Sequence, residues 1–181
     1  MSLARAHGVV VTGVEGLVVG IEAYLAQGLP GMSIVGLGDT AVGEARDRVR
    51  AAVHTCGLPW PGERRITVGL SPAAIHKRGA GLDLGIALSI LAAQGHVPVR
   101  DDLVTVGELA LDGSVRPVRG VLVAALAAAR AGFAAIAVPA AQVAEARLVP
   151  DIEVVGIATL AQAAGWLRGE DQPAPDAGVV Q

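Results

Sequence analysis

From Val121 to Leu167 the chain switches repeatedly between two hydrophobic periods. Val121 to Arg130, Ala140 to Ala146 and Leu160 to Leu167 read as apolar helices, and Ala135 to Val138 and Glu153 to Gly156 between them read as short strands. A strand, a helix and a second strand in that order make a crossover, so this half predicts a parallel sheet segment with helices packed on it. The first half has a different texture. Arg5 to Thr12 and Glu15 to Leu25 read as strands, and in the second Val19, Ile21, Ala23 and Leu25 alternate with Val18, Gly20, Glu22 and Tyr24. A third apolar run, Met32 to Val35, leads into Gly36-Leu37-Gly38. Asp39 then stands where a carboxylate caps a helix, predicted from Thr40 to about Cys56, and Gly57 stops it. Ile66 to Leu70 is a further strand, Ser71 to Gly81 a loop, and Leu82 to Gln94 an apolar helix. Val104 to Leu111 and Ser114 to Val118 flank Asp112-Gly113, a pair suited to a tight hairpin turn.

Composition removes several classes. With 181 residues, 52% of them hydrophobic, and a formal net charge of -3, the chain fits one ordinary globular domain or two small ones, and disorder along its whole length is excluded. A chain this size buries roughly 70% of the surface its unfolded form exposes, enough for a core without disulfide or metal staples. Cys56 is the single cysteine, so no disulfide forms within one copy and a reducing cytoplasm is the expected compartment. The mean hydropathy of +0.55 raises the question of a membrane span. Yet the longest uncharged stretches, Ala23 to Gly38 and Leu84 to Val99, are too short and are broken by Gly and Pro. Arg5 interrupts the only place where the apolar core of a signal peptide would begin. A soluble protein with no membrane partner is therefore expected. Past Gly169, Glu170-Asp171-Gln172-Pro173-Ala174-Pro175-Asp176 has linker composition and is expected to be poorly ordered.

Short motifs carry little on their own. Gly36-x-Gly38-x-x-Ala41, after a strand and at a helix start, has the form of a dinucleotide fingerprint, but no Asp or Glu lies between Arg48 and Gly62 to hold a ribose. Tight packing through small residues is the competing explanation. Lys77 is the one lysine and is followed by Arg78, so a phosphate-binding loop of the Gly-Lys-Ser/Thr type is absent and no ATP hydrolysis is expected of this chain alone. His7, His54, His76 and His96 are scattered, without metal-ligand spacing. Arg46 and Arg50 lie one helical turn apart and Arg64-Arg65 follow a Pro-rich turn, which makes these four residues candidate contacts for an anionic partner such as DNA. Against that, Glu44 with Arg48 and Asp47 with Arg50 have the spacing of helical ion pairs. The pI is near 5.8, and two Trp, one Tyr and one Phe supply few stacking surfaces.

Longer segments are more specific. Gly28-Leu29-Pro30-Gly31-Met32-Ser33-Ile34-Val35-Gly36-Leu37, Ala41 to Arg50, Arg65-Ile66-Thr67-Val68, Leu82 to Leu88 and Gly107 to Gly120 occur in one order. Together they resemble the amino-terminal domain of YifB/ComM-type magnesium-chelatase-like AAA+ ATPases, over about residues 4 to 169. The resemblance implies an α+β fold similar to the Lon proteolytic domain and to the second domain of ribosomal protein S-five, a mixed sheet with packed helices. It also implies an organisation in which residues 1–169 form the Lon-like domain and 170–181 lead towards an ATPase module. The intact protein would then resemble ComM, a hexameric DNA branch-migration helicase of natural transformation. ATP and magnesium would serve that whole protein, with no cofactor or metal held by this part. Its partners would be its own ATPase module, neighbouring subunits and, through the full-length protein, DNA.

Lon-type peptidases use a serine whose proton passes to a lysine. The resemblance to their motifs puts Asp83, two residues before Gly85, nearest the serine's position, and Leu122, after Arg119-Gly120-Val121, near the lysine's. The resemblance thus implies a non-proteolytic accessory or oligomerisation domain. Two alternatives remain, a Ser-Lys peptidase using other residues and a dinucleotide-binding module. For the first, Ser89 falls within an apolar helix, and Lys77 would have to be desolvated beside a serine, which the spacing does not suggest.

Overall fold

The computed structural model describes residues 2–36 and 38–170. In chain order these form β1 (Ser2–Thr12), β2 (Glu15–Ala26), β3 (Gly31–Val35), α1 (Thr40–Gly43), α2 (Ala45–Thr55), β4 (Arg65–Ser71), α3 (Asp83–Ala93) and β5 (Leu103–Thr105). There follow β6 (Glu108–Leu109), β7 (Val115–Arg116), α4 (Val121–Arg130), β8 (Ala135–Pro139), a 3-10 turn (Ala140–Gln142), α5 (Val143–Ala146), β9 (Glu153–Ile157) and α6 (Leu160–Leu167). Most of the expected linker, and Leu37 of the resemblance, lie outside the described residues.

The described strands build a seven-stranded sheet in the order β3-β4-β2-β1-β5-β8-β9, and β6 and β7 make a separate small ladder. The two textures of the sequence meet inside the large sheet. β1, β2 and β4 are antiparallel neighbours, whereas β5, β8 and β9 pair in parallel, joined to β1 at Gly8 and Thr105. A mixed sheet with packed helices is the α+β, Lon-like arrangement that the motifs imply.

Alternation decides what each face holds. Val19, Ile21, Ala23 and Leu25 of β2 are buried, together with Ile66, Val68 and Leu70 of β4, under α2 and α3. On the opposite face Val9, Val104, Val106, Ile136 and Val138 pack against Val121, Ala124, Ala125 and Ala128 of α4. β8 is buried along its whole length, as an apolar run in a parallel strand requires. α3 is apolar nearly all round because the sheet, α2 and α6 enclose it. It lies so close to the sheet that a Cβ on Gly85 would stand 2.6 Å from Ile21 Cδ1 and 2.8 Å from Thr105 Oγ1.

Three elements differ from expectation. The single helix from Thr40 to about Cys56 is two, α1 and α2, divided at Glu44; Asp39 caps the first through Oδ1, 2.9 Å from the Val42 amide. The long hairpin arm from Val104 is also divided. The Val106 amide still donates to Ala137 O at 3.0 Å, but Gly107 donates to Gly81 O at 3.0 Å and accepts from the Leu84 amide at 3.1 Å, so the chain leaves the sheet there and docks on the start of α3. The Asp112-Gly113 turn remains, with Asp112 Oδ1 accepting from the Ser114 amide at 2.9 Å, but it joins only β6 and β7. Finally, the Ala140 to Ala146 helix begins as a 3-10 turn, and only Val143–Ala146 is α-helical. Among the described residues no helix is long and apolar enough to cross a membrane.

Candidate functional site

Asp83 opens α3, and its side chain is only 1% exposed. It does not cap its own helix. Its carboxylate faces Arg48 of α2, accepting from Nε at 2.7 Å and from Nη2 at 3.0 Å, and it also accepts from the Leu109 amide of β6 at 3.1 Å. Arg48 Nη2 reaches on to Ala41 O at 2.6 Å, and Nη1 lies 3.7 Å from Glu44. Burial pushes the Asp83 carboxyl above the usual carboxylate range, opposed by the Arg48 guanidinium and the Leu109 amide. The hydrogen bond to Asp83 holds the Arg48 guanidinium more firmly protonated than usual. A nucleophile needs an oxygen free to meet substrate, and here both oxygens are engaged by Arg48.

Leu122, the second residue of α4, is 37% exposed and carries no ionisable group. A hollow of about 410 Å³ is lined by Leu82, next to Asp83 in the chain, and by Val9, Arg78, Glu108 and Arg119, but by neither Asp83 nor Leu122. The general base of a peptidase would have to come from elsewhere. Lys77 meets half of that requirement, since its side chain is tucked beneath its own exposed loop, and burial pushes its ammonium below the usual value. Its Nζ is committed to main-chain oxygens: it donates to Gly36 O at 2.7 Å and to Pro72 O. Ser89 Oγ donates to Ile86 O at 2.7 Å and Ser71 Oγ to Gly20 O at 3.5 Å. Among the described residues no serine is hydrogen-bonded to Lys77.

The glycines of the fingerprint-like segment have packing roles. Gly36 has φ +113° and sits on the Leu70 carbonyl, and a Cβ on Gly38 would stand 2.5 Å from Val42 Cγ1. The amide at the start of α1 is already taken by Asp39. Among the described residues no group of three His, Cys, Asp or Glu side chains is placed to hold a metal ion.

Three of the four candidate arginines come together. Arg46, Arg50 and Arg64, with Asp47, line an open hollow of about 420 Å³ that also includes Trp60 and Met32. Arg65 does not join them. It alternates with Ile66 along β4, leaves the other face of the sheet, and donates to Ser33 Oγ. Sequence reasoning missed the Arg48–Asp83 pair, the burial of Lys77 and the place of Trp60. The local spacing of Glu44 and Arg48 already accounted for that arginine, and nothing local pointed to a partner 35 positions away.

Residues 21–142 match the family described as subunit ChlI of Mg-chelatase. The chain is 50% identical over 171 residues to an uncharacterized protein of Mycobacterium tuberculosis, covering 93% of this chain and 34% of that one. It is 38% identical over 174 residues to the competence protein ComM of Haemophilus influenzae, covering 95% of this chain and 34% of the relative. Lon protease of Mycolicibacterium smegmatis is 34% identical over 139 residues, covering 74% of this chain and 18% of the protease. The chain thus spans about a third of the length of the first two relatives. With the matched segment running from β2 through the 3-10 turn after β8, the chain belongs to the Mg-chelatase subunit ChlI family.

Proposed function

We propose that this chain is a non-proteolytic, Lon-like accessory module of a magnesium-chelatase-like AAA+ ATPase, with residues 1–169 as the module and the ATPase in the remainder of a longer cytoplasmic protein. The observation that carries the reading is the state of Asp83. The residue that the resemblance sets nearest the serine's position is an acid clamped by Arg48 and the Leu109 amide, and the one it sets near the lysine's is the aliphatic Leu122. A position converted from reacting to bracing suits a part that holds other parts in place. In this reading the module makes contacts between subunits, ATP and magnesium are handled by the ATPase, and DNA is engaged by the assembled ring, as the resemblance to ComM suggests.

The test is deletion of residues 1–169 from the full-length protein. Rings that form with nucleotide in the intact protein should be weakened, read by analytical ultracentrifugation. Unchanged assembly and unchanged DNA unwinding would defeat the proposal. Labelling of the chain by a serine-reactive probe, with cleavage of casein, would instead favour the peptidase.

A further inference from the structure

The hollow lined by Arg46, Arg50 and Arg64 includes neither Asp83 nor Leu122. In a chain of net charge -3 its lining brings three guanidinium groups against one carboxylate, Asp47. Arg46 is tethered at the rim by long hydrogen bonds, Nε to Gly43 O at 3.3 Å and Nη1 to Met32 O at 3.4 Å. Arg50 and Arg64 make no hydrogen bond or ion pair through their side chains among the described residues. Arg50 also has Asp47 three residues before it, yet the two do not form the ion pair their spacing predicts. Two guanidinium groups with unused donors thus edge the same concavity as a third.

The wall beside them is aromatic. Trp60 is half-buried between Pro59 and Pro61, in a turn held by the Gly62 amide to Trp60 O at 2.9 Å and by Gln94 Nε2 to Pro59 O at 3.0 Å. The His54 ring lies behind it, 6.4 Å between centroids. A ring fixed in this way loses little freedom when a flat ligand stacks on it. Three donors for phosphate oxygens and one flat apolar wall, in a hollow of about 420 Å³, match a chain that alternates charge with exposed planar rings. Duplex nucleic acid keeps its ring faces stacked inside. An acidic peptide satisfies the arginines and leaves the tryptophan wall unused.

We propose that the Arg46–Arg50–Arg64 hollow binds single-stranded nucleic acid, with the guanidinium groups on successive phosphates and one base stacked on Trp60. It puts on this chain itself a nucleic-acid site that the proposed function leaves to the assembled ring, and it stands on the lining of this hollow alone.

The experiment uses the whole chain carrying Trp166→Phe, which leaves Trp60 as the one fluorescent tryptophan. Titration with a 15-nucleotide oligo-dT at low salt should quench Trp60. The logarithm of affinity should fall with the logarithm of salt at a slope of about -2, from three phosphate contacts at about 0.7 each. Arg50→Ala and Arg64→Ala, both at exposed positions, should each weaken binding about threefold or more and shallow the slope to about -1.4, with unchanged circular dichroism. Trp60→Leu, followed by anisotropy of labelled oligo-dT, should weaken binding about fivefold or more while leaving the slope in place. Absence of binding at low salt, or arginine variants that bind like the parent, would overturn the proposal. So would equal affinity for a duplex of the same length, or displacement of oligo-dT by polyglutamate at equal charge concentration.

Discussion

Arg48 grips Asp83 with two nitrogens, Nε at 2.7 Å and Nη2 at 3.0 Å, across 35 positions of sequence. The same carboxylate takes the Leu109 amide, so one buried acid ties α2, α3 and β6 together. The Lon resemblance implies that Asp83 stands near the place of a reacting serine; in this fold it is the hub of three elements. The cost of removing it should therefore be read in stability.

Asp83→Ala leaves a largely buried guanidinium and the Leu109 amide without their acceptor. We expect a loss of about 3 kcal/mol in urea unfolding, in the range for one partner removed from a buried pair. Replacing both partners with apolar groups, Arg48→Met with Asp83→Leu, should lose less than Asp83→Ala. A double variant that loses the sum of the two single losses would show that the two residues act independently.

The pH dependence follows from the raised carboxyl of Asp83. Between the unfolded value and the higher folded one, the native state holds the extra proton. This contribution is therefore complete below the unfolded value and is lost as pH rises through the folded one. Comparing the chain with Asp83→Asn by denaturation from pH 4 upward, the advantage of the aspartate should shrink as pH rises. An advantage that grows over that window contradicts burial as the dominant cause.

Lys77→Met removes the amine that bridges Gly36 O and Pro72 O. The methionine stem fills similar space, so the loss reflects two carbonyls left without a donor, about 1–3 kcal/mol. Hydrogen exchange should quicken in residues 72–82 and around Gly36 before it does in α3. Uniform quickening across the chain would mean the bridge is not local.

Two glycines on helices should respond in opposite ways. Gly85→Ala must place a methyl 2.6 Å from Ile21 Cδ1 and 2.8 Å from Thr105 Oγ1, so overpacking should cost about 1–3 kcal/mol. At Gly43 a Cβ meets nothing within 4 Å and φ is not positive, so Gly43→Ala should stabilise by about 0.4–1 kcal/mol. Thermal unfolding of the pair checks both signs.

What the sequence showed and what it hid divide along distance in the chain. The alternation of β2, the cap at Asp39 and the stop at Gly57, with φ +67°, were legible because each is decided by its immediate neighbours. The departure of the chain at Gly107 was not, since it depends on Gly81 and Leu84 from another element. The same holds for the site. Motif order drew attention to Asp83 and Leu122, but the partner of Asp83 was hidden because Arg48 already had a plausible neighbour in Glu44. Lys77 looked like an ordinary loop residue because its two acceptors, Gly36 and Pro72, are backbone atoms that any sequence supplies. Arg46, Arg50 and Arg64 were visible as charges, while the placement of α2 beside the turn before β4, which collects three of them, and the alternation of β4, which turns Arg65 away, are decided by packing.

Lys77 is the sole lysine, and its side chain is covered by its own loop with the amine occupied by two carbonyls. Reagents that map assemblies by acylating lysines therefore find no side chain to mark on this module while it is folded. Its neighbours in a larger particle are better traced by chemistry directed at carboxylates, guanidines or the Cys56 thiol, and lysine acylation at position 77 becomes a reporter of loop opening rather than of contact.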